Sequence, residues 1–328
     1  MKILAVDDDP IILELLTEVL RVVGFTNLTL VTSANHALEL IEQASVPFDC
    51  FLLDIQMPDM DGIELTTAIR LMPHYAKTPI LMITAMAERS YIDNAFAAGA
   101  SDYITKPFEI GEVHARLRLI ETLVLERNQM EDRNPVSQQA DPVAIVSEAD
   151  LERRLSLPSI DGFIDYLALE NYLMQVSRIS LFGMSVFGVV VPDMTRAFKA
   201  STLYEFESGV TDFAEAISDC LKPQQFFAAH AGGGEFVCVL MGGTHFDPEA
   251  FEEMLNDTIN EMDPHFCDGR PITLKPVAGP AIPLQMKSSR GVANTLVRAL
   301  SEAEMTARNP RAAQQSGHIS PLKFLFSL

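Results

Sequence analysis

Residues 1–107 alternate between short apolar runs and segments whose apolar residues recur at helical spacing. The apolar runs lie at residues 2–6, 28–31, 48–53, 80–83 and 102–105. Between the first two runs, Ile12, Leu16 and Leu20 fall on one face of a helix. Strands that are joined through helices pair in parallel, because a crossover must return the chain to the same end of the sheet. The alternation therefore predicts an α/β fold with a doubly wound, five-stranded parallel sheet.

The third apolar run ends on an acidic residue, Asp54, and turn residues follow it. Pro58 sets a bend, and Gly62 gives the backbone freedom before the next helix. Open α/β sheets form their sites at the carboxyl ends of central strands. We therefore expect Asp54 to be a solvent-facing acid on a rigid scaffold, and we interpret it as a phosphoryl acceptor.

The other strands also end on polar residues. Strand one ends on Asp7 and Asp8, strand four on Thr84 and strand five on Lys106. In a parallel sheet these ends share one edge with Asp54. Three clustered carboxylates repel each other unless a hard divalent cation lies among them, and their oxygen ligands suit Mg²⁺. Each residue alone is more often a helix cap or a plain loop residue, but five in register from four strands predict a phosphoryl site.

The motifs VDDDP, LLDIQMPDMDG, MITA and TKPF identify residues 1–125 as similar to a response-regulator receiver domain, which implies a flavodoxin-like fold. By that resemblance Asp54 takes a phosphoryl group from a sensor histidine kinase or a phosphotransfer protein. The resemblance also implies that Asp8 binds Mg²⁺ directly and Asp7 mainly through water. The backbone carbonyl of Gln56 would be a further ligand.

The resemblance assigns roles to the remaining residues of this edge. Lys106 would contact the phosphate, and its bond to Pro107 would be cis, as receiver domains have it. Thr84 would move toward the phosphate with Tyr103 following it inward, and Ala85 would leave room for the phosphate. We expect phosphorylation to shift the surface formed by residues 92–105 and the following helix. That surface would then pair with another receiver, giving a homodimer, or would free the second domain.

A helix is predicted after Pro107 and runs past the usual end of a receiver domain. Its apolar residues alternate at spacings of three and four: Ile110, Val113, Leu117, Ile120 and Val124. This pattern fits either a short coiled-coil seam or packing on the receiver sheet followed by a linker. Residues 126–150 are expected to be a helical extension and a linker, with a flexible stretch at 128–147 rich in Gln, Asn, Asp and Pro.

Residues 151–328 are predicted to form a second, α+β domain. Helices are expected at 160–176, 197–221, 248–262 and 292–308, and strands at 184–191, 226–231, 235–240 and 272–277. Residues 318–328 offer a final strand. Two of these strands are joined by Gly232, Gly233 and Gly234, a hairpin signal.

The hairpin, in which Glu235 and Phe236 follow the glycines, resembles the signature turn of GGDEF (diguanylate cyclase) domains. The segments IDGFID and Phe198-Lys199 and the helix at 299–308 resemble further pieces in the same order. The resemblance covers roughly residues 158–310 and implies a palm-like α+β domain.

The departures from the GGDEF pattern concern the residues of the reaction. The acidic third position of the turn is Gly234, and Asp193, a vestigial metal position, lies one residue out of register with Phe198-Lys199. Asp165 replaces the base-reading Asn, and residues 223–226 lack both charges of the product-inhibition site. Because such cyclisation needs carboxylates on both the first strand and the hairpin, we expect no diguanylate cyclase activity. We interpret the chain as a phosphoacceptor signalling protein and not as an enzyme.

Three roles remain open for the second domain. The first is a phosphorylation-controlled module that binds a downstream protein whose identity the sequence does not give. The second is a domain that binds GTP or cyclic di-GMP as an allosteric ligand, with backbone N–H groups of Gly232–Gly234 facing an anion. The third is a residual cyclase with substituted ligands.

The composition excludes other classes. The formal net charge is −21, which argues against binding to nucleic acid or to an anionic membrane surface. No stretch reaches the roughly 18 consecutive apolar residues of a membrane span. The start of the chain is interpreted as a strand and not as a signal peptide, and the four cysteines show no CxxC spacing. We therefore expect a cytoplasmic protein with reduced core thiols.

Overall fold

The structure is a computed structural model, and it describes residues 1–85, 89–133, 145–243, 246–284 and 289–308. The chain forms two compact units. The first contains residues 1–144, 155–176 and 227–229, and the second contains residues 145–154, 177–226 and 230–328. The sequence placed residues 155–176 in the second domain, but their side chains pack in the first unit. Apolar periodicity does not reveal this, because it shows that a face is buried and not against what.

The first unit is built on a five-stranded parallel sheet, as the alternation predicts. Its strands are β1 (Ile3–Val6), β2 (Leu28–Val31), β3 (Cys50–Asp54), β4 (Ile80–Thr84) and β5 (Asp102–Thr105). The order is β2-β1-β3-β4-β5, and every pair is parallel. The strand order reverses between β1 and β3, and the crevice beyond the carboxyl ends at such a point is where ligands bind in open α/β sheets.

Helices cover both faces of this sheet. They are α1 (Pro10–Val22), α2 (Ala34–Gln43), α3 (Gly62–Arg70), α4 (Arg89–Ala97) and α5 (Ile110–Arg133). Residues of α1 and α5, including Leu16, Leu20 and Leu117, form the apolar layer on one face. Residues of α2 and α3, including Ile41 and Leu65, form the layer on the other. Each helix thus buries one apolar stripe against the strands.

The start of α1 follows its sequence signals. Asp9 is the N-cap, and its carboxylate accepts a hydrogen bond from the Ile11 N–H at 2.8 Å. Pro10 occupies the first helical turn, where its missing N–H costs nothing. This cap holds the helix directly beside the acidic residues at the end of β1.

The seam of α5 packs on the sheet. Val113, Leu117, Ile120 and Val124 are buried in the layer shared with α1, and Ile110 is exposed. Of the two readings of the spacing, the structure therefore supports packing on the receiver sheet at these positions. The helix also extends to Arg133, into the stretch expected to be a flexible boundary. Residues 134–144 of that stretch lie outside the described residues.

Part of the predicted helix at 160–176 is not helical. The helix of this segment, α7, spans Tyr166–Gln175. Before it, Gly162 has a φ of 77°, and Phe163 forms a parallel bridge with Ala228. The Ile164 N–H donates to the Ala228 carbonyl at 2.9 Å. These backbone pairings use the donors that a longer helix would need.

The second unit has a mixed helix and strand content, as expected for an α+β domain. Its helices are α6 (Glu148–Leu151), α8 (Arg178–Leu181), α9 (Met194–Phe198), α10 (Leu203–Leu221), α11 (Pro248–Met262) and α12 (Ser289–Arg308). The strands of the second sheet are β6 (Met184–Val190), β7 (Phe226–Gly232), β8 (Glu235–Met241), β9 (Val277–Ala278) and β10 (Ile282–Pro283). The order is β10-β6-β8-β7, with β9 also paired to β6.

Two elements of this unit differ from expectation. The helix predicted at 197–221 is broken between Phe198 and Leu203, where Thr202 caps α10 through a capping box with Glu205. The strand predicted at 272–277 is reduced to β9, two residues long. Residues 318–328 lie outside the described residues. Among the helices that the structure describes, none has the length and apolar character needed to cross a membrane.

Candidate functional site

Three carboxylates meet at the carboxyl edge of the first sheet. Asp7 and Asp8 directly follow β1, and Asp54 is the last residue of β3. One oxygen from each lies within 4.8 Å of the others. Asp7 and Asp54 are buried and Asp8 is exposed. The cluster was expected, but the prediction that Asp54 faces solvent was wrong, because this residue is only 4% exposed.

Lys106 lies between the two buried acids. Its Nζ is 2.7 Å from Asp7 Oδ2 and 2.8 Å from Asp54 Oδ1. The Lys106 N–H donates to the Thr84 carbonyl at 2.7 Å, which ties the residue after β5 to the end of β4. The peptide bond from Lys106 to Pro107 is cis, as the resemblance implies. The cation therefore reaches the site from the end of β5, which β4 separates from β3 in the sheet.

The charges of the site shift its ionisation. Burial raises the pKa of Asp54, and the neighbouring charges of Asp7 and Asp8 raise it further, whereas Lys106 lowers it. Burial lowers the pKa of Lys106, but the hydrogen bonds to Asp54 and Asp7 outweigh it and the pKa is raised. The ammonium therefore stays charged, and one positive charge faces three acidic groups. The excess of negative charge is an electrostatic reason for a cation to bind here.

The donor set fits Mg²⁺. All three side chains offer hard carboxylate oxygens, which are the ligands that Mg²⁺ prefers, and Asp8 opens the group to solvent. Gln56 is exposed two residues beyond Asp54. The role of its carbonyl as a further ligand stays a prediction.

The expected switch residues lie at the neighbouring strand ends. Thr84 is the buried last residue of β4 and faces Thr105 across the sheet. Ala85 follows and is exposed. Tyr103 is half-buried on β5, with its ring edge-on to Phe96 at 6.3 Å between centroids. The movements of Thr84 and Tyr103 stay predictions.

Gly62 supports the site for a reason that sequence reasoning missed. A Cβ on this residue would lie 2.0 Å from the backbone oxygen of Asp54. The Gly62 N–H donates to the Ile55 carbonyl at 2.9 Å. The glycine is therefore required by the close approach of α3 to the end of β3, and not by a special backbone conformation. The sequence signal for this close approach is a glycine directly after a helix N-cap, which here is Asp61.

Comparison with known proteins agrees with this geometry. Residues 3–118 match the family model described as response regulator receiver domain. The chain is 38% identical over 108 residues to the chemotaxis protein CheY of Pseudomonas aeruginosa, a match that covers 33% of this chain and 86% of that protein. The chain belongs to the response regulator receiver family.

Two further similarities concern the same segment. The receiver domain is 40% identical over 114 residues to the signal transduction histidine-protein kinase BarA of Escherichia coli, and the match covers 35% of this chain but only 12% of that kinase. The solved structure of Vibrio cholerae CheY4 is 30% identical, with a TM-score of 0.34, and covers 36% of this chain and 97% of that one. The family model matches residues 3–118, so this similarity concerns the receiver domain.

Outside the receiver domain, the glycine turn of the second unit is covered by its own chain. The Gly233 N–H donates to the Leu151 carbonyl at 3.0 Å. A Cβ on Gly232 would lie 2.6 Å from the Glu152 oxygen. His230, buried beside the turn, has Nε2 at 2.9 Å from the Gly233 carbonyl, and burial lowers its pKa to about 4. The Gly233 N–H is thus used internally, which contradicts the expectation that it faces an anion.

The acidic residues near this turn do not come together as a metal site. A Cβ on Gly234 would lie 2.5 Å from the Val191 oxygen, so the backbone leaves no room there for a side chain. Asp193 has a positive φ of 61° and points into solvent. Burial, and then Glu304, raise the pKa of Glu235 to about 7. Phe236 is fully buried against His230. Among the described residues, neither Asp193 nor Glu235 belongs to a cluster of side chains that could hold a metal ion.

Proposed function

We propose that this chain is a response regulator of a two-component phosphorelay, in which Asp54 accepts a phosphoryl group from a sensor histidine kinase or a phosphotransfer protein. The observation that carries the proposal is Lys106 held between buried Asp7 and Asp54, with Asp8 close by at the same edge. Family membership of residues 3–118 supports it.

In the proposed reaction an oxygen of Asp54 attacks the phosphorus of a phosphohistidine. The new bond joins this oxygen to phosphorus, and the phosphorus–nitrogen bond breaks with its electron pair returning to the imidazole. Burial raises the pKa of Asp54, but its contact with Lys106 opposes that effect and favours the carboxylate. The carboxylate is the form that attacks.

Charge neutralisation is the main task of the surrounding residues. Asp7, Asp8 and Asp54 would hold Mg²⁺, which supplies positive charge to the phosphoryl oxygens. Lys106 is already 2.8 Å from the acceptor carboxylate and stays beside the phosphoryl group after transfer. The Thr84 hydroxyl, at the end of the adjacent strand, is the neutral donor of the set.

The second unit is proposed to be a degenerate GGDEF-like domain without diguanylate cyclase activity. The glycine turn joins two neighbouring strands, β7 and β8, as the resemblance requires. The backbone approach at Gly234 supports the loss of the acidic ligand, and the Leu151 contact at Gly233 argues against a retained nucleotide. We propose that this unit acts by binding a downstream protein.

Labelling at Asp54 tests the phosphoacceptor role. The wild type, incubated with Mg²⁺ and acetyl phosphate, is expected to gain the mass of one phosphoryl group, and Asp54→Asn is expected to gain none. Asp59→Asn is the matched control, because Asp59 lies in the same loop and asparagine tolerates its φ of 68°. A wild type that stays unlabelled with acetyl phosphate and with phosphorylated kinases contradicts the proposal.

The output domain needs a separate test. Incubation with GTP and Mg²⁺, followed by product detection, is expected to yield no cyclic di-GMP. Isothermal titration of the full chain with GTP and with cyclic di-GMP is expected to give no heat of binding. Formation of cyclic di-GMP would instead support a residual cyclase. Saturable heat without product would support a domain that binds the nucleotide as an allosteric ligand.

A further inference from the structure

Helix α11 (Pro248–Met262) buries one face in the second unit and exposes another. The buried residues are Phe251, Leu255 and Ile259. The exposed face carries an acidic ladder, in which an acid recurs at every fourth position: Glu249, Glu253, Asp257 and Glu261. Residues four apart in a helix lie one above the other, so the ladder forms a continuous negative stripe about 18 Å long.

This acidic ladder opposes the stability of the helix that carries it. Like charges four residues apart repel each other, and Asp257 and Glu261 lie near the C-terminus, where the helix dipole disfavours negative charge. The helix contains no Lys or Arg. Among the ion pairs formed by described residues of the second unit, none includes a member of the ladder. Such a departure from the usual charge pattern of a solvated helix is typical of a functional surface.

A fifth acid of the same helix, Glu252, has a structural use that the ladder acids lack. Its Oε1 accepts a hydrogen bond from the Ala278 N–H at 2.8 Å, which ties α11 to β9. Burial raises the pKa of Glu252. The four ladder residues are exposed instead, so their charge is accessible to a partner.

An apolar stripe accompanies the ladder. Ala250, Met254 and Met262 each directly follow a ladder acid, and the two methionines are 44% and 37% exposed. The outer face of α11 forms an open groove, which is lined by Ala250, Glu253, Met254, Asp257, Thr258 and Glu261. Methionine is flexible and polarizable, and it is common on surfaces that bind proteins. A small cation would neutralise the acids but would leave this apolar surface in water.

We propose that the outer face of α11 is a docking surface for a basic, amphipathic segment of a partner protein. This inference rests on the proposed function of the second unit and names the chemistry of its downstream protein. Lys or Arg residues at helical spacing would lie against the ladder, while apolar side chains beside them cover Met254 and Met262. A second copy of this chain does not fit, because α11 facing α11 would bring like charges together.

Binding of a designed peptide to the full chain tests the docking surface. The probe is a helical peptide of about 14 residues, with Lys at every fourth position and Leu directly after each Lys, so that it spans the ladder. In isothermal titration it is expected to bind saturably, and it should slow hydrogen exchange of the α11 amides. The same peptide with Ala in place of Leu is expected to bind roughly 5-fold or more weakly, because it cannot cover the methionines.

Charge reversal separates the ladder from the net charge of the chain. The double variant Glu253→Lys with Asp257→Lys reverses the middle of the ladder and is expected to weaken binding roughly 10-fold or more. Glu39→Lys with Glu42→Lys is the matched control, since it changes the net charge equally at exposed positions of α2 and should bind as the wild type does. All four positions are exposed, so both variants are expected to unfold at the same urea concentration as the wild type.

Three results would overturn the docking surface. They are the absence of saturable binding, equal weakening by both double variants, and equal binding of the two Lys peptides, which would leave only a solvated acidic face. None of them affects labelling of Asp54, so the phosphoacceptor role would stand. Binding of GTP or cyclic di-GMP in the nucleotide titration would instead contradict the protein-binding role of the second unit itself.

Discussion

The acidic residues at the carboxyl edge of the first sheet differ in their exposure to solvent. Asp7 and Asp54 are buried and need a positive charge nearby, which Lys106 supplies at 2.7 and 2.8 Å. Asp8 stays exposed, where a cation can reach it from solvent. Sequence reasoning found all four residues because each lies at, or just after, the end of a predicted strand. It missed the burial of Asp54, which depends on how the folded chain packs around the end of β3.

Removal of Lys106 is expected to destabilise the protein in the absence of divalent cations. Lys106→Met removes the positive charge beside two buried carboxylates, and such losses cost about 3–5 kcal/mol. Urea denaturation at neutral pH measures the change. Lys77→Met is the control, since Lys77 is exposed, and its effect is expected within about 0.5 kcal/mol. Equal effects of the two variants would show that Lys106 does not stabilise the acids.

A methyl group at Gly234 is expected to destabilise the second unit. Its Cβ would lie 2.5 Å from the Val191 oxygen and 2.9 Å from the Met194 Cβ, so the backbone must move. Overpacking of this kind costs about 1–3 kcal/mol. Gly183→Ala is the matched control, because its nearest atom would be 3.9 Å away. If Gly234→Ala unfolds at the same urea concentration as the control, this position has room for a side chain.

At the scale of elements, apolar spacing predicted which face of a helix is buried but not its neighbour. In α5 the spacing of Leu117, Ile120 and Val124 suited both a coiled coil and a sheet layer, and these residues lie in the layer shared with α1. Helix α7 belongs to the first unit, where Tyr172 packs against Phe96 of α4, although the sequence assigned it to the second domain. Both cases have one cause, because apolar spacing shows that a face is buried but does not identify the element it packs against.

Substitutions in α5 separate sheet packing from a coiled coil. Leu117 is fully buried and Leu119 is 41% exposed. Leu117→Ala is expected to cost about 2–5 kcal/mol and Leu119→Ala less than about 0.5 kcal/mol. Urea denaturation with sedimentation analysis checks this. A coiled coil would instead show a stable wild-type dimer that Leu117→Ala converts to a folded monomer.

Asp102, which accepts from Gln175 and Arg116, predicts a pH dependence. Burial raises its pKa from 3.8 to about 6. Since the folded state holds the proton more tightly, its stabilising contribution is complete below pH 3.8 and is lost as the pH rises through about 6. At about 1.4 kcal/mol per pH unit, the loss reaches roughly 3 kcal/mol.

The measurement compares the wild type with Asp102→Asn, whose amide does not titrate. From pH 4 to pH 7 the free energy of unfolding of the wild type is expected to fall relative to that of the variant. Other raised acids, such as Asp54 and Glu235, titrate equally in both proteins and cancel in the difference. A constant difference across this range would contradict the prediction.

At the scale of the whole molecule, the chain carries 45 acidic against 24 basic residues. This excess argues against a nucleic-acid output and agrees with a protein partner. The acidic site lies at the carboxyl edge of the sheet of the first unit. The glycine turn of the second unit is instead closed by residues 151–152. The phosphoryl chemistry we propose therefore belongs to one unit only.

Divalent cations are expected to stabilise the full chain through the first unit. Mg²⁺ at about 100 times its dissociation constant raises the free energy of unfolding by roughly 2.7 kcal/mol. Calorimetry should show one transition that moves with Mg²⁺ in the wild type and in Asp59→Asn. Asp8→Asn removes an exposed ligand without breaking the Lys106 pair, and its transition should move less. An equal shift in all three proteins would place the cation elsewhere.

Local patterns were sufficient to predict most of the receiver fold and its acidic cluster. Apolar runs, caps and terminal polar residues are properties of neighbouring residues. The parallel pairing of the five strands follows from the helical crossovers between them. The same patterns could not predict the contact between Gly62 and Asp54, or between Gly233 and Leu151. Those contacts depend on how closely the folded backbone returns to an earlier residue, and no local pattern gives that distance.

By itself, the sequence determined the alternation of strands and helices, and hence the shared edge that carries Asp7, Asp8, Asp54 and Lys106. The tertiary structure alone decided that Asp54 is buried, that α7 belongs to the first unit and that the glycine turn is closed by its own chain. The physical reason is that secondary structure and strand polarity follow from short-range periodicity. Burial and hydrogen-bond partners are chosen by whichever distant surface completes the packing.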